Sequence, residues 1–330
     1  MSDIDVLYMK RALQLAQYGL GRVSPNPMVG SVIVCDGRII GEGYHRCYGE
    51  AHAEVNAVDS VSESDRALLK ESTVYVTLEP CAHFGKTPPC ADMLVRCGVK
   101  RVVVGAVDPF DRVDGKGLEK LRCAGIEVET GILEDECRSL NAKFFIAHTL
   151  HRPFVLLKWA QSADGYMDCK RCGDAPAMSF SDSVGRTLVH RLRSTHDAIG
   201  IGSGTFITDC PRLDVRYWHG DNPRKVIFDR RGRFGEATGE IESVLSELYG
   251  KGITSIMVEG GPTLLGAFID NGLWDCARVE VAESRLGDKG CAKAPAIACQ
   301  PILSDRAGDN NVYYYTNNKL VNGYFIEHGL

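Results

Sequence analysis

The chain has 330 residues, a net charge of -5 and a hydrophobic content of 44%. That length suits two domains of ordinary size, and the mildly acidic balance, without a basic tract, speaks against a nucleic-acid-binding stripe. No apolar run approaches the roughly 20 residues of a membrane-spanning helix. The acidic start through Asp5 lacks the basic head and apolar core of a secretory signal, so a cytoplasmic location is expected. Thirteen cysteines spread along the chain suit a reducing compartment, with free thiols and a metal site rather than a disulfide framework.

In chain order, Leu7, Ala12, Leu15 and Ala16 have helical spacing over 5–18. Apolar runs at 28–35 and 38–44 flank Asp36-Gly37, a hairpin turn. A helix begins at His52. A β-rich strand at 73–78 ends before Pro80-Cys81, and Pro89 starts a helix with Cys90 at its head. Strand 101–107, helix 116–123, strand 126–129 and helix 133–147 complete a three-layer α/β pattern. Residues 148–153 read as a linker. A second α/β pattern follows: strand 154–159, helix 182–194, strands 198–201 and 225–228, helix 241–249, strand 255–258 and helix 263–271.

Chemistry concentrates in the first half. His52 and Glu54 stand two residues apart, and eight residues separate Cys81 from Cys90. One imidazole and two thiolates suit a tetrahedral zinc with its fourth position open, and a buried histidine with two core thiols is the plainer reading of each residue alone. Zinc draws the pKa of water it holds towards neutrality, and a carboxylate that is not a ligand can pass the proton to a leaving amine. Glu54 fits that task, or else is a solvated first-turn glutamate. His83 as a fourth ligand would close the site, so it is assigned to the pocket wall. Asn26 is a substrate contact or a turn residue between two prolines. Cys169 and Cys172 form a C-x-x-C pair, either incidental thiols in a loop or a second metal or redox site. Gly260-Gly261-Pro262-Thr263 follows a strand and opens a helix, which suits a phosphate or an ordinary tight turn.

The H-x-E and Pro-Cys pattern is the signature of zinc-dependent nucleobase deaminases, here with wider cysteine spacing. With Ser24-Pro25-Asn26-Pro27-Met28-Val29-Gly30 and the run from Thr77-Leu78-Glu79-Pro80-Cys81 to Lys86-Thr87-Pro88-Pro89-Cys90, the first half resembles the deaminase domain of the bifunctional riboflavin-biosynthesis deaminase/reductases. The second half resembles their reductase domain. Its matching runs are Arg152-Pro153-Phe154 to Asp164-Gly165, His190-Arg191-Leu192-Arg193, Gly202-Ser203-Gly204-Thr205, residues 209–216 and Glu259-Gly260-Gly261-Pro262-Thr263-Leu264.

This resemblance implies a cytidine-deaminase-like three-layer domain over 1–147 and a dihydrofolate-reductase-like domain over 154–330. It implies hydrolytic removal of the 2-amino group of 2,5-diamino-6-(5-phosphoribosylamino)pyrimidin-4(3H)-one, then NADPH-dependent reduction of the ribosyl to the ribityl chain. Zinc would be held by His52, Cys81 and Cys90, with Glu54 catalytic. NADPH would meet Ala160, Thr205, Asp209 and the run Gly261, Pro262, Thr263, Leu264, Leu265, Gly266 and Ala267. Arg230, with Arg231 and Arg233, would hold its 2′-phosphate, or is a solvated basic loop. Lys158, Arg193, Leu213, Arg216 and Glu259 would hold the phosphorylated pyrimidine substrate. No nucleic acid or membrane partner is expected, and a homo-oligomer is.

Two departures from the family stand out. Residues 177–180 read Ala-Met-Ser-Phe where many members carry a serine and a tryptophan, and only residues 230–240 join the strand ending at Asp229 to the next helix, where many relatives have a longer segment. A deaminase whose second domain has lost reduction is therefore the alternative. An editing deaminase would need a basic groove with stacking aromatics, and a structural zinc four protein ligands.

Overall fold

Ser2 caps the first helix, α1 (Asp3–Ala16), its Oγ accepting from the Ile4 N–H at 3.3 Å, which satisfies one of the donors a helix start leaves open. The computed structural model describes residues 2–82, 88–109, 115–172, 175–234, 237–318 and 321; His83 and the run from Phe84 to Thr87 lie outside them. The chain divides into two units at residues 149 and 150.

In the first unit β1 (Gly30–Cys35) and β2 (Arg38–Tyr44) form a hairpin through Asp36 and Gly37, at φ of 48° and 75°. This is the left-handed pair that a two-residue turn needs. Then come α2 (Ala53–Asp59), β3 (Thr73–Leu78), α3 (Cys90–Cys97), β4 (Arg101–Ala106), α4 (Lys116–Cys123), β5 (Glu127–Thr130), α5 (Glu134–Leu140) and α6 (Ala142–Leu150). The sheet order is β2-β1-β3-β4-β5, with β1 antiparallel to both neighbours and β3, β4 and β5 parallel. Strand alternation sorts the core into two layers. Val32, Val34, Tyr75 and Val103 pack with α1 and α5; Ile33, Val74, Val76, Val102 and Val104 pack with α2, α3 and α4. A Cβ on Gly43 would stand 2.3 Å from the Ala57 nitrogen. Only glycine there lets β2 approach α2, the helix that His52 and Glu54 begin.

The helix predicted over 133–147 is two helices. Asn141 breaks it, because its buried amide accepts from the Met28 N–H at 2.7 Å and donates to the Met28 carbonyl at 2.8 Å.

The second unit contains β6 (Phe154–Gln161), β7 (Tyr166–Cys169), α7 (Ser183–Ser194), β8 (Ala198–Gly202), α8 (Ser203–Asp209), β9 (Arg224–Phe228) and α9 (Ile241–Gly250). It continues with β10 (Ser255–Val258), α10 (Pro262–Asp270), β11 (Cys276–Val281), β12 (Gly290–Lys293), β13 (Leu303–Ala307) and β14 (Asn310–Thr316). Its sheet order is β13-β14-β11-β6-β10-β8-β9. The five strands from β11 to β9 run parallel, and β14 and β13 add antiparallel pairs at the β11 side. One face is an apolar core of Val155, Leu157, Phe228, Val258 and Val279 against Leu245 and Leu248 of α9 and Leu265 and Phe268 of α10. The other face lies under α7 and sets Lys158, Arg278 and Glu280 among buried apolar residues such as Phe154, Leu156, Ile199, Ile201 and Met257.

β7, α8 and every strand from β11 onwards were not foreseen from the sequence. β11 reads Cys-Ala-Arg-Val-Glu-Val, so two charges interrupt what is a wholly internal strand. β9 ends the sheet, and the short connection at 230–240 adds no strand among the described residues. Among the described residues no helix is long and apolar enough to cross a membrane.

Candidate functional site

Three segments of the first unit converge. His52 caps α2, Cys81 follows β3 after Glu79-Pro80, and Cys90 opens α3 behind Pro89. Two helix starts therefore serve one spot, and their positive ends favour thiolate over thiol. His52 Nδ1 lies 3.6 Å from Cys81 Sγ and 3.4 Å from Cys90 Sγ, and the Cys90 N–H donates to Cys81 Sγ at 3.3 Å. The three donor atoms lie within 4.8 Å of one another, and no other such His, Cys, Asp and Glu group occurs among the described residues. One imidazole and two sulfurs so placed fit a borderline-soft tetrahedral cation and leave one coordination direction to a non-protein ligand.

Without a metal the three donors share their protons unevenly, with Cys81 as the thiolate. The Cys90 thiol and then the His52 ring hold the Cys81 thiol down to about 4 against burial. Cys90 is pushed up by Cys81 and by its own burial. Hydrogen bonding to Cys81 raises His52. Glu54, in the first turn of α2, is only 3% exposed. Burial, and then the Cys81 thiolate, push its carboxyl from the ordinary 4.5 up to about 7. A dication held by the trio would offset the thiolate charge, which would favour the carboxylate.

Two neighbours escaped the sequence reading. His45 is buried, and its Nδ1 lies 3.1 Å from the Ala51 carbonyl. A carbonyl only accepts, so Nδ1 carries the proton and Nε2 accepts from Asn26 Nδ2 at 3.2 Å. The His45 ring stands edge-on to His52 with centroids 5.4 Å apart, which links Asn26 to the trio through one imidazole. Glu79 is buried and accepts backbone N–H bonds from Gly117 at 2.9 Å, Gly115 at 3.0 Å, Asp108 at 3.3 Å and Leu118 at 3.4 Å. It thereby fastens the start of α4 against the turn that delivers Cys81. A lone glutamate between the apolar end of β3 and a proline was the available signal.

The second unit brings Lys158, Arg193 and Glu259 together. Arg193 grips Glu259 with both arms of its fork, Nε to Oε1 at 3.0 Å and Nη2 to Oε2 at 2.8 Å, and donates to the Asp214 carbonyl at 3.1 Å. Lys158 is buried on β6, and burial lowers its pKa while Glu259 opposes the shift. Ala160 lies two residues further along the same strand face. Leu213 is buried at a φ of 51°. The Arg216 N–H donates to His190 Nδ1 at 3.0 Å, and its guanidinium pairs with Asp214.

The starts of α8 and α10 follow the parallel neighbours β8 and β10. Gly261 caps α10, which opens with Pro262, Thr263, Leu264, Leu265, Gly266 and Ala267. A Cβ on Gly261 would stand 3.3 Å from Thr205 Oγ1, so the two starts flank one narrow space suited to an anion. Asp209 is committed elsewhere, accepting from Arg171 at 2.6 Å. Arg230 and Arg231 are exposed, whereas Arg233 turns back onto Asp229 with contacts of 2.9 and 3.1 Å. Cys169 and Cys172 are free thiols. In the departing run 177–180, the Met178 N–H donates to Asp168 at 3.1 Å.

A sequence profile of the cytidine and deoxycytidylate deaminase zinc-binding region matches residues 2–106, and one of the RibD C-terminal domain matches residues 153–294. The riboflavin biosynthesis protein RibD of Aquifex aeolicus is 38% identical over 87% of this chain and 89% of its own. That of Escherichia coli K12 is 35% identical over 89% and 92%. Solved structures agree. RibD of Acinetobacter baumannii superposes with a TM-score of 0.85 at 34% identity, covering 95% of this chain and 99% of that one. A diaminohydroxyphosphoribosylaminopyrimidine deaminase/5-amino-6-(5-phosphoribosylamino)uracil reductase of Thermotoga maritima gives 0.83 at 34% identity, with the same coverage. On this identity along nearly the whole chain, together with the His52, Cys81 and Cys90 cluster, the chain belongs to the RibD family of riboflavin-biosynthesis proteins.

Proposed function

We propose that the chain performs two consecutive steps of riboflavin biosynthesis, with residues 1–147 as the deaminase domain, 148–153 as the linker and 154–330 as the reductase domain. It is a bifunctional enzyme using zinc and NADPH. The first step is the hydrolytic deamination of 2,5-diamino-6-(5-phosphoribosylamino)pyrimidin-4(3H)-one. The second reduces the ribosyl side chain of the resulting uracil to ribityl. The observation that carries this reading is the convergence of His52, Cys81 and Cys90 beside a buried, uncoordinated Glu54.

His52, Cys81 and Cys90 hold the zinc, which when bound makes water a nucleophile at neutral pH. Glu54 accepts the proton of the attacking water on its carboxylate and returns it to the departing amine. Its burial keeps bulk water from competing for that proton. His45 fixes the amide of Asn26, which orients the pyrimidine. Glu79 holds the Cys81 turn in place.

In the second unit NADPH supplies the hydride. The helix starts at Thr205 and Gly261–Ala267 hold its phosphates, Ala160 and, once released from Arg171, Asp209 contribute further contacts, and Arg230 is free to reach the 2′-phosphate. Lys158, Arg193, Leu213, Arg216 and Glu259 hold the sugar and its phosphate. A cytoplasmic, homo-oligomeric enzyme belongs to the same proposal, supported by the family resemblance and the dispersed free thiols.

Incubation of the zinc-loaded protein with the diaminopyrimidine substrate tests this reading. Without NADPH the deaminated ribosylamino-uracil should accumulate, and with NADPH the ribityl product should replace it. Accumulation of the uracil in both cases would favour the deaminase-only alternative.

A further inference from the structure

The layer beneath α7 contains two carboxylates, and each is taken by an arginine. Glu259 belongs to Arg193, as described. Glu280, on β11, is fully buried and accepts from Arg278 Nη1 at 3.2 Å and from Asn310 Nδ2 at 2.7 Å. Arg278 has only 2% of its side chain exposed, and its Nη2 has no hydrogen-bond partner. β11 and β6 are parallel neighbours in which Arg278 is in register with Lys158 and Glu280 with Ala160, so all of these side chains share one face. Lys158 feels Glu259 and Glu280 as attractive charges and Arg278 and Arg193 as repulsive ones. Among the described residues it makes neither an ion pair nor a hydrogen bond.

A buried Arg–Glu pair inside a sheet is poorly explained by stability. Desolvation cancels much of its attraction, and apolar residues of similar volume usually serve as well. The cost is greater here, because one guanidinium nitrogen is left unsatisfied. The pair does have one consequence for the neighbouring strand. A Glu280 without its arginine would be a buried carboxylate that keeps its hydrogen bonds from Asn310 and Ser181 and has the unpaired Lys158 on the adjacent strand as a charge partner.

We propose that Arg278 is a positioning residue of the reductase: by occupying Glu280 it keeps the Lys158 ammonium unpaired and available to the sugar-phosphate substrate. Arg193 does the same at Glu259 on the other side, so Lys158 is held between two satisfied pairs. This inference rests on the reading of Lys158 as a substrate-binding residue. Arg278 itself need not touch the substrate.

The test uses the full-length, zinc-loaded protein with Arg278→Met, Arg278→Met/Glu280→Gln and Lys158→Met. Arg278→Met should lower kcat/KM for reduction about 10–100-fold, the scale set by misplacing one binding group. The loss should lie in the KM for the ribosylamino-uracil phosphate, with the KM for NADPH and the deamination rate unchanged. Removing the competing carboxylate in the double variant should restore most of the reduction. Thermal melting of each variant separates this from a folding defect. A lower Tm with unchanged KM in Arg278→Met, or a double variant as impaired as the single one, overturns the proposal. If Lys158→Met reduces normally, the substrate-binding reading of Lys158 falls and the inference falls with it. If Lys158→Met is inactive while Arg278→Met is normal, only the inference falls.

Discussion

Replacing Glu54 with glutamine is expected to lower deamination about 10²–10⁴-fold, the usual contribution of a positioned general acid–base. The substitution keeps the shape of the side chain, so zinc content and reduction of separately supplied ribosylamino-uracil should be unchanged. Near-normal deamination by this variant would remove Glu54 from the mechanism. The same variant has a signature in the zinc-free protein. There the folded-state pKa of Glu54 is raised from 4.5 to about 7, by burial first and the Cys81 thiolate second. A raised carboxyl binds its proton more tightly folded than unfolded. Its favourable contribution is therefore present below 4.5 and is lost as pH rises through 7. Relative to Glu54→Gln, the metal-free wild type should lose about 3 kcal/mol of stability across that window. Denaturant melts of both proteins at pH 4 and pH 8 measure this difference. A difference independent of pH would show that Glu54 is solvated rather than buried.

The second large effect is expected at Gly261. Its Cβ position already stands 3.3 Å from Thr205 Oγ1, so the branches of Gly261→Leu must enter the space between the starts of α8 and α10. NADPH binding should weaken about 100-fold or more, in line with the cost of misplacing a bound group, and reduction should fall with it. Deamination should be untouched, because every residue assigned to it lies within residues 1–106, in the other unit. Titration of NADPH fluorescence against the two proteins measures the effect. Unaltered binding would place the cofactor elsewhere.

The deaminase half was legible because its chemistry and its secondary structure share a few short segments. His52 and Glu54 stand at one helix start and Cys90 at another, and although 29 and 38 positions separate His52 from Cys81 and Cys90, the H-x-E and Pro-Cys pattern marks them all. His45 and Glu79 were less legible for the opposite reason. His45 matters through Asn26, 19 positions away, and Glu79 through backbone groups about 29 to 39 positions away, and neither belongs to the H-x-E and Pro-Cys pattern, the place of Glu79 before Pro80 being the single local sign. In the second half the parallel strands through β10 read as apolar runs. β11 did not, because Arg278 and Glu280 sit where an internal strand ordinarily has apolar residues. The break at Asn141 was hidden because its cause is Met28, 113 positions away.

The central claim is that one chain carries two independent chemistries and that zinc serves only the first. The direct measurement is a product assay before and after zinc is stripped by a chelator, with NADPH present throughout and each substrate supplied separately. The stripped protein should leave the diaminopyrimidine unchanged yet still convert the ribosylamino-uracil to its ribityl product, and added zinc should restore the first reaction. Full deamination by protein shown to be free of metal, or no reduction by the untreated protein, would contradict the account.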